Sequence, residues 1–338
     1  MKLIITGGAG FIGSTVVRKA ISKGFEVLNI DSLSYASCLK NLDTIKNHKN
    51  YSFRKLNIQN HLDLKSTFHE YKPDSVIHLA AETHVDRSIK KPKDFIDTNI
   101  LGTFNLLQAA YSYWYEIKNS KKFKFLHVST DEVYGSLPID PEIKFTEKTN
   151  YSPRNPYSAS KASSDHIVKA WYNTYDLPVI ITNCSNNYGP YQFPEKLIPV
   201  VITNALELKS IPVYGSGKNI RDWIFVEDHA NALLDIIDKG YIGKSYNIGG
   251  DCELSNLSVV KRICKILNDV HPKKNGKYED LINYVNDRPG HDFRYSTDIT
   301  KINNDIGWKP ITNFDEGLKK TVLWYLKNEN WWRPLKYS

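Results

Sequence analysis

At 338 residues, with 41% hydrophobic and 24% charged side chains, the chain can build one large or two moderate cores under an ordinary soluble surface. The net charge of +8 is scattered along the sequence apart from the short turn His271-Pro-Lys-Lys274. That pattern ranks a solvated surface first, an anionic substrate second and nucleic acid last. The four cysteines, Cys38, Cys184, Cys252 and Cys264, lack zinc-ligand spacing, so reduced thiols and no metal are expected.

The sequence opens on a strand pattern, not a basic and then apolar leader, and no apolar run nears membrane-spanning length. A soluble cytoplasmic protein with no membrane partner is the expectation. Short apolar runs then alternate with amphipathic stretches as far as Val179. Strands are predicted at Leu3–Thr6, Glu26–Ile30, Tyr51–Leu56, Ser75–Leu79, Lys124–Ser129 and Val179–Asn183. Helices are predicted at Gly13–Lys23, His61–Glu70, Asp94–Lys118 and Ser158–Thr174. Such alternation builds an α/β fold with a doubly wound parallel sheet. After Cys184 the rhythm loosens, with amphipathic segments at Pro194–Leu208, Val226–Lys239 and Leu257–Asn268 between polar loops. Two units are expected: residues 1–183, with later segments returning to it, and a smaller mixed α/β substrate-binding region over 184–338.

The first strand runs into Gly7-Gly8-Ala9-Gly10-Phe11-Ile12-Gly13, which opens the first helix. Glycines here let a pyrophosphate approach the amides of a helix N-terminus, the fingerprint of a dinucleotide-binding Rossmann sheet. Asp31 ends the second strand about 20 residues later, where an acid accepts from the adenosine ribose and repels a 2′-phosphate. NAD is therefore expected over NADP. A plain turn role for Asp31 is the lesser reading once the glycines are present.

Tyr157 and Lys161 stand four apart at a helix start, hence on one face. Using a tyrosine near neutrality means lowering its pKa from about 10 by roughly 3 units, or about 4 kcal/mol. One cation supplies about 1–3 units and burial opposes it, so the nicotinamide of oxidised NAD is the natural second cation. A surface helical pair is the bland alternative. Asp131-Glu132, in Ser129-Thr-Asp-Glu-Val-Tyr134, has two readings of equal standing. Ser129 and Glu132 have the spacing of a capping box, and acids suit a first helical turn. Adjacent carboxyls also repel, so one keeps its proton and the other ionises, giving an acid and a base together.

These strings, with AAETHVDRSI, PYSASKASSDH, NCSNNYGPYQFPEKLIP, IRDWIFVEDHA, YNIGG and DRPGHDFRYSTD, run over nearly the full length. In them the sequence resembles the extended short-chain dehydrogenase/reductase family, and within it the nucleotide-sugar 4,6-dehydratases. The resemblance implies NAD, a dTDP-glucose substrate and a homodimer. It implies that Tyr157, helped by Lys161 and Thr130, takes the proton of the sugar 4-hydroxyl, that Glu132 removes the hydrogen at carbon 5, and that Asp131 protonates the departing 6-hydroxyl. It implies Gly7, Gly10, Phe11, Ile12, Gly13, Asp31, Asn57, Ile58, Ala80 and Thr98 at NAD, with Tyr157 and Lys161. It implies His84, Asn187, Glu195, Lys196 and Leu197 near sugar and phosphate. Arg221, Asn256, Arg288 and His291 follow at diphosphate and nucleoside, and Tyr295 beside them. Asn57 stands where the family usually has an acid, Thr83 where serine is common and Ser216 where aspartate is common. A UDP- or GDP-sugar dehydratase is the near alternative, followed by a sugar epimerase and a non-catalytic NAD-binding module.

Overall fold

The computed structural model describes residues 1–118, 120 and 122–337. Six strands of the main sheet come from the first 184 residues: β1 (Lys2–Thr6), β2 (Glu26–Asp31), β3 (Tyr51–Lys55), β4 (Ser75–His78), β5 (Lys124–Thr130) and β6 (Val179–Cys184). A seventh, Ser245–Ile248, adds beside β6 from far down the chain. The order is Ser245–Ile248, β6, β5, β4, β1, β2, β3, and every pairing is parallel. The order in which successive strands are added reverses between β1 and β4, so a crevice opens at the carboxyl ends of those strands.

Helices α1 (Phe11–Ser22), α2 (His61–Tyr71), α3 (Val85–Lys90), α4 (Pro92–Phe95), α5 (Thr103–Glu116) and α6 (Pro156–Tyr175) join these strands. One face buries Val16, Val17 and Ile21 of α1, and the other buries Leu106, Leu107 and Ala110 of α5 with Phe68 of α2. The single helix expected over Asp94–Lys118 is broken. A π-helical turn, Ile96–Gly102, separates α4 from α5. The extra residue turns Asn99 inward, where its amide donates to Glu82 O at 3.0 Å and Ser160 Oγ at 2.8 Å. Gly102 closes the turn because a Cβ there would meet Ile58 Cδ1 at 2.7 Å.

The second half supplies β7 (Asn186–Tyr188), α7 (Leu197–Leu206), β8 (Ile211–Tyr214), β9 (Ile220–Phe225), α8 (Val226–Lys239), β10 (Ser245–Ile248, the seventh sheet strand) and β11 (Glu253–Ser255). It ends with α9 (Asn256–Val270), β12 (Ile282–Val285), α10 (Thr300–Ile306), α11 (Phe314–Lys327) and α12 (Glu329–Lys336). Helix α8 packs Ile236 and Ile237 with α1 in the core of the main sheet. Ile302 of α10 and Tyr246 of β10 join that core too, while α7, α9, α11 and α12 share a separate one around Ile198, Val259, Leu318 and Trp332. Among the described residues no helix is long and apolar enough to cross a membrane.

Candidate active site

The crevice above β1 and β4 is a cleft of about 400 Å³. Its floor is made by the glycine turn. Gly7 has φ +72°, and a Cβ there would lie 2.7 Å from Ala80 N. A Cβ on Gly13 would fall 2.1 Å from Gly7 O, so glycine is required for α1 to start this close to the turn. Gly10 caps α1 without a side chain, leaving helix amides facing the cleft. Asp31 closes one end: its Oδ2 accepts from Ala9 N at 2.9 Å, and its Oδ1 from Leu33 N and Ser37 Oγ, each at 2.8 Å. A carboxylate has about four acceptor positions, so it can take a ribose hydroxyl as well. Phe11, Ile12, Asn57, Ile58, Ala80 and Thr98 line the same cleft. Asn57 Oδ1 holds Gln59 N at 2.9 Å, which fixes its amide at the rim. This cradle, shaped so that only glycine fits and backed by an acid, suits the pyrophosphate and ribose of NAD.

The catalytic candidates meet at the far end. Asn155 caps α6 by accepting from Ser158 N at 2.9 Å, with Pro156 in the first turn, and this aims Tyr157 and Lys161 at the end of β5. Lys161 Nζ donates to Val128 O at 2.9 Å. The Tyr157 phenol shares a hydrogen bond with Thr130, while burial and then the charge of Glu132 push its pKa well above 10. Burial also lowers Lys161, opposed by Asp165 one helical turn further on. Ionising the phenol therefore depends on a further positive charge over the cleft, as the nicotinamide of oxidised NAD provides.

The capping box expected from Ser129 and Glu132 does not form. The cap is Thr130, whose Oγ1 accepts from Glu132 N at 3.3 Å, and a single 3₁₀ turn, Asp131–Tyr134, follows. Ser129 instead donates to Asp165 Oδ2 at 2.9 Å. This turn sets the two acids in different surroundings. Asp131 is only 1% exposed, and burial, then Glu132 and Asp222, raise its pKa well above 3.8. Glu132 lines the cleft; burial raises it too, but Arg288, Arg221 and Lys196 oppose the rise. Both carboxyls are raised, Asp131 well above its ordinary value and Glu132 against the pull of three cations, so Asp131 is the one set to hold a proton.

Around the open end, Asn187, Glu195 and Lys196 line the cleft, while His84 and Leu197 lie just outside its wall. His84 Nε2 stands 3.9 Å from Glu195 Oε2, and Lys196 Nζ donates to Thr83 O at 2.9 Å. Asn187 is held by His229, 2.8 Å from its Oδ1. Arg221 is buried, giving three hydrogen bonds to the carbonyls of Ile220, Asp292 and Phe293 and lying 4.3 Å over the Tyr295 ring. Tyr295 thus serves as a prop, its hydroxyl donating to Asp292 Oδ2 at 2.6 Å. Arg288 lies 3.6 Å from Asp86, and His291 lies 2.6 Å from Asp287. Asn256 is the first residue of α9, its N–H donating to Asn219 O.

Three comparisons decide the family. Residues 4–321 match the family described as GDP-mannose 4,6 dehydratase. The dTDP-glucose 4,6-dehydratase of Neisseria meningitidis serogroup B (strain ATCC BAA-335 / MC58) is 54% identical over 338 residues, covering 98% of this chain and 95% of that one. A Streptomyces venezuelae dTDP-glucose 4,6-dehydratase with NAD and TYD bound superposes with a TM-score of 0.90 at 40% identity, covering 99% of this chain and all of that one. The Bacillus anthracis enzyme in complex with NAD gives 0.88 at 44%, covering 99% of each chain. The chain belongs to the nucleotide-sugar 4,6-dehydratase family.

Three residues that support this family member's site, Asp165, His127 and Tyr35, were not among the site residues expected from sequence. Asp165 accepts from Ser129, Tyr151 and Asn183, and its Oδ1 lies 3.1 Å from His127 Nε2 without hydrogen-bond alignment. Burial and then Lys161 push His127 down to about 4, so it stays neutral beneath the lysine. The spacing of Asp165, four after Lys161, was the available signal. Tyr35 had none: from the loop after β2 it donates to Glu195 Oε1 at 2.9 Å, under the guanidinium of Arg87 at 3.5 Å, and ties the cofactor end to the loop before α7.

Proposed function

We propose that the protein is a dTDP-glucose 4,6-dehydratase that works with NAD and returns it unchanged after each turnover. The observation that carries this reading is one buried corner holding Thr130, Asp131 and Glu132 beside Tyr157 and Lys161, where a simple redox enzyme needs no adjacent acids. Held by the Gly7–Gly13 turn and Asp31, NAD would supply a hydride acceptor for carbon 4 of the glucose and a hydride donor for carbon 6. Tyr157, with Lys161 behind it, takes the proton of the 4-hydroxyl. The ketone so formed acidifies the hydrogen at carbon 5, which Glu132 removes. Asp131 protonates the 6-hydroxyl, and water leaves. Glu132 then returns its proton to carbon 5.

Arg221, Arg288 and Lys196 gather positive charge beside Glu132, which suits a diphosphate. Residues 1–183 with β10 and α8 form the NAD-binding unit, and the rest of 184–338 mainly holds the nucleotide-sugar. The protein is a cytoplasmic homodimer in this reading. In support, Ile96, Leu101 and Phe104 are exposed beside α6, and Phe104 meets Trp171 edge-on at 5.6 Å, making an apolar face across α5 and α6. The test is incubation with dTDP-, UDP- and GDP-glucose followed by product analysis. Fastest formation of a 4-keto-6-deoxy sugar from dTDP-glucose is expected; recovery of only the galactose epimer would overturn the reading.

A further inference from the structure

Counting protons through the proposed reaction leaves the protein in the wrong state at its end. Before turnover Tyr157 is a phenolate, Asp131 carries a proton and Glu132 is ionised. Oxidation breaks the O–H bond at carbon 4, and that proton bonds to Tyr157. Elimination breaks the C–H bond at carbon 5, with its proton going to Glu132. It also breaks the C–O bond at carbon 6, whose oxygen leaves as water with the proton of Asp131. Closing the cycle puts the hydride on carbon 6 and the Glu132 proton back on carbon 5. The hydride and the Glu132 proton cancel, but Tyr157 ends one proton richer and Asp131 one poorer. A second turnover needs a proton to pass from the phenol to the carboxyl.

Direct supply from bulk water is obstructed, because Asp131 is 1% exposed and Tyr157 is 8% exposed. The side chain between them is Thr130. Its hydroxyl shares a hydrogen bond with the Tyr157 phenol. The same hydroxyl donates to Asp131 Oδ1 at 3.4 Å, and the N–H of Glu132 donates to it at 3.3 Å, holding the side chain in place. A hydroxyl has one proton to give and two lone pairs, so it can accept from one neighbour while giving to another. Inward of Tyr157 the neighbouring polar side chains already have protein partners. Lys161 Nζ donates to Val128 O, and Asn99 is engaged by Glu82 and Ser160.

We infer that Thr130 resets the site between turnovers: its oxygen takes the proton of Tyr157 as its own proton passes to Asp131 Oδ1, restoring phenolate and carboxylic acid. The inference rests on the dehydratase reading, and its test separates the two. Rapid-quench kinetics with dTDP-glucose are followed for wild type, Thr130→Val, Thr130→Ala and Thr130→Ser. The Val and Ala variants are expected to make one product per site in a first burst. Their later turnovers should run at least about tenfold slower than the first, since acid–base steps of this kind are worth that much or more. Added acetic acid at constant pH should speed this slow phase, and Thr130→Ser should behave as wild type without a burst. Equal slowing of first and later turnovers in the Val or Ala variant would overturn the relay and leave Thr130 a role in oxidation alone. A wild-type protein that forms no 6-deoxy product would instead sink the dehydratase reading.

Discussion

Glu132→Gln separates the two halves of the chemistry. The amide keeps the size of the side chain but cannot remove the hydrogen at carbon 5. A positioned base contributes about 10²–10⁴-fold. At 1.36 kcal/mol per decade this is about 2.7–5.4 kcal/mol on the elimination barrier. A loss within that range is expected, because Arg288, Arg221 and Lys196 favour the native carboxylate against burial, whereas an amide cannot take a proton at all. Oxidation should respond differently. After burial, the Glu132 charge is the largest influence raising the Tyr157 phenol, so neutralising it eases ionisation of that base. Carbon 4 oxidation should therefore stay within about tenfold of wild type or rise, since a removed like charge lowers the phenol pKa. Rapid-quench analysis of the sugar, with the near-ultraviolet absorbance of the reduced nicotinamide, reads the two steps apart. The expected result is accumulation of the 4-keto sugar still bearing its 6-hydroxyl. Loss of oxidation and elimination by the same factor would refute the division of labour.

Tyr157→Phe removes the acceptor of the first proton and should abolish oxidation and product together, with NAD still bound; detectable reduced cofactor on adding substrate would contradict its role. Gly13→Ala places a Cβ 2.1 Å from Gly7 O and should strip NAD from the purified protein, as read by the absorbance of cofactor released on denaturation. Burial raises the carboxyl of Glu207, but hydrogen bonds from Tyr337, Lys336 and Lys209 outweigh it and hold it down at about 2. A depressed folded pKa stabilises above the ordinary value of 4.5 and loses that effect as pH falls towards 2. Wild-type Tm should accordingly fall more steeply across that window than the Tm of Glu207→Gln, and parallel curves would contradict the assignment.

The first six strands were legible because each is a short apolar run bounded by polar turns, and all fall within a residue or so of their expected places. The long helix before β5 was misread as continuous. Its apolar periodicity continues through Ile96–Gly102, whereas the π turn is made by Asn99 finding Glu82 and Ser160, partners distant in sequence. Strand β10 joins the sheet through pairing with β6, which a four-residue run does not announce. In the site, Asp131 and Glu132 were ambiguous in isolation because Ser129 fits a cap by spacing. The structure gives Ser129 to Asp165 and the cap to Thr130. Asp165 showed only its spacing from Lys161, and sequence could not reveal buried supports whose role comes from burial itself, such as neutral His127 beneath Lys161.

The most direct test of a hydride lent and returned within one sugar is to supply dTDP-glucose carrying deuterium at carbon 4. The account predicts a 4-keto-6-deoxy product with that deuterium on carbon 6 and no net change in NAD. Deuterium restored to carbon 4 of an epimer, or lost to solvent, would contradict it.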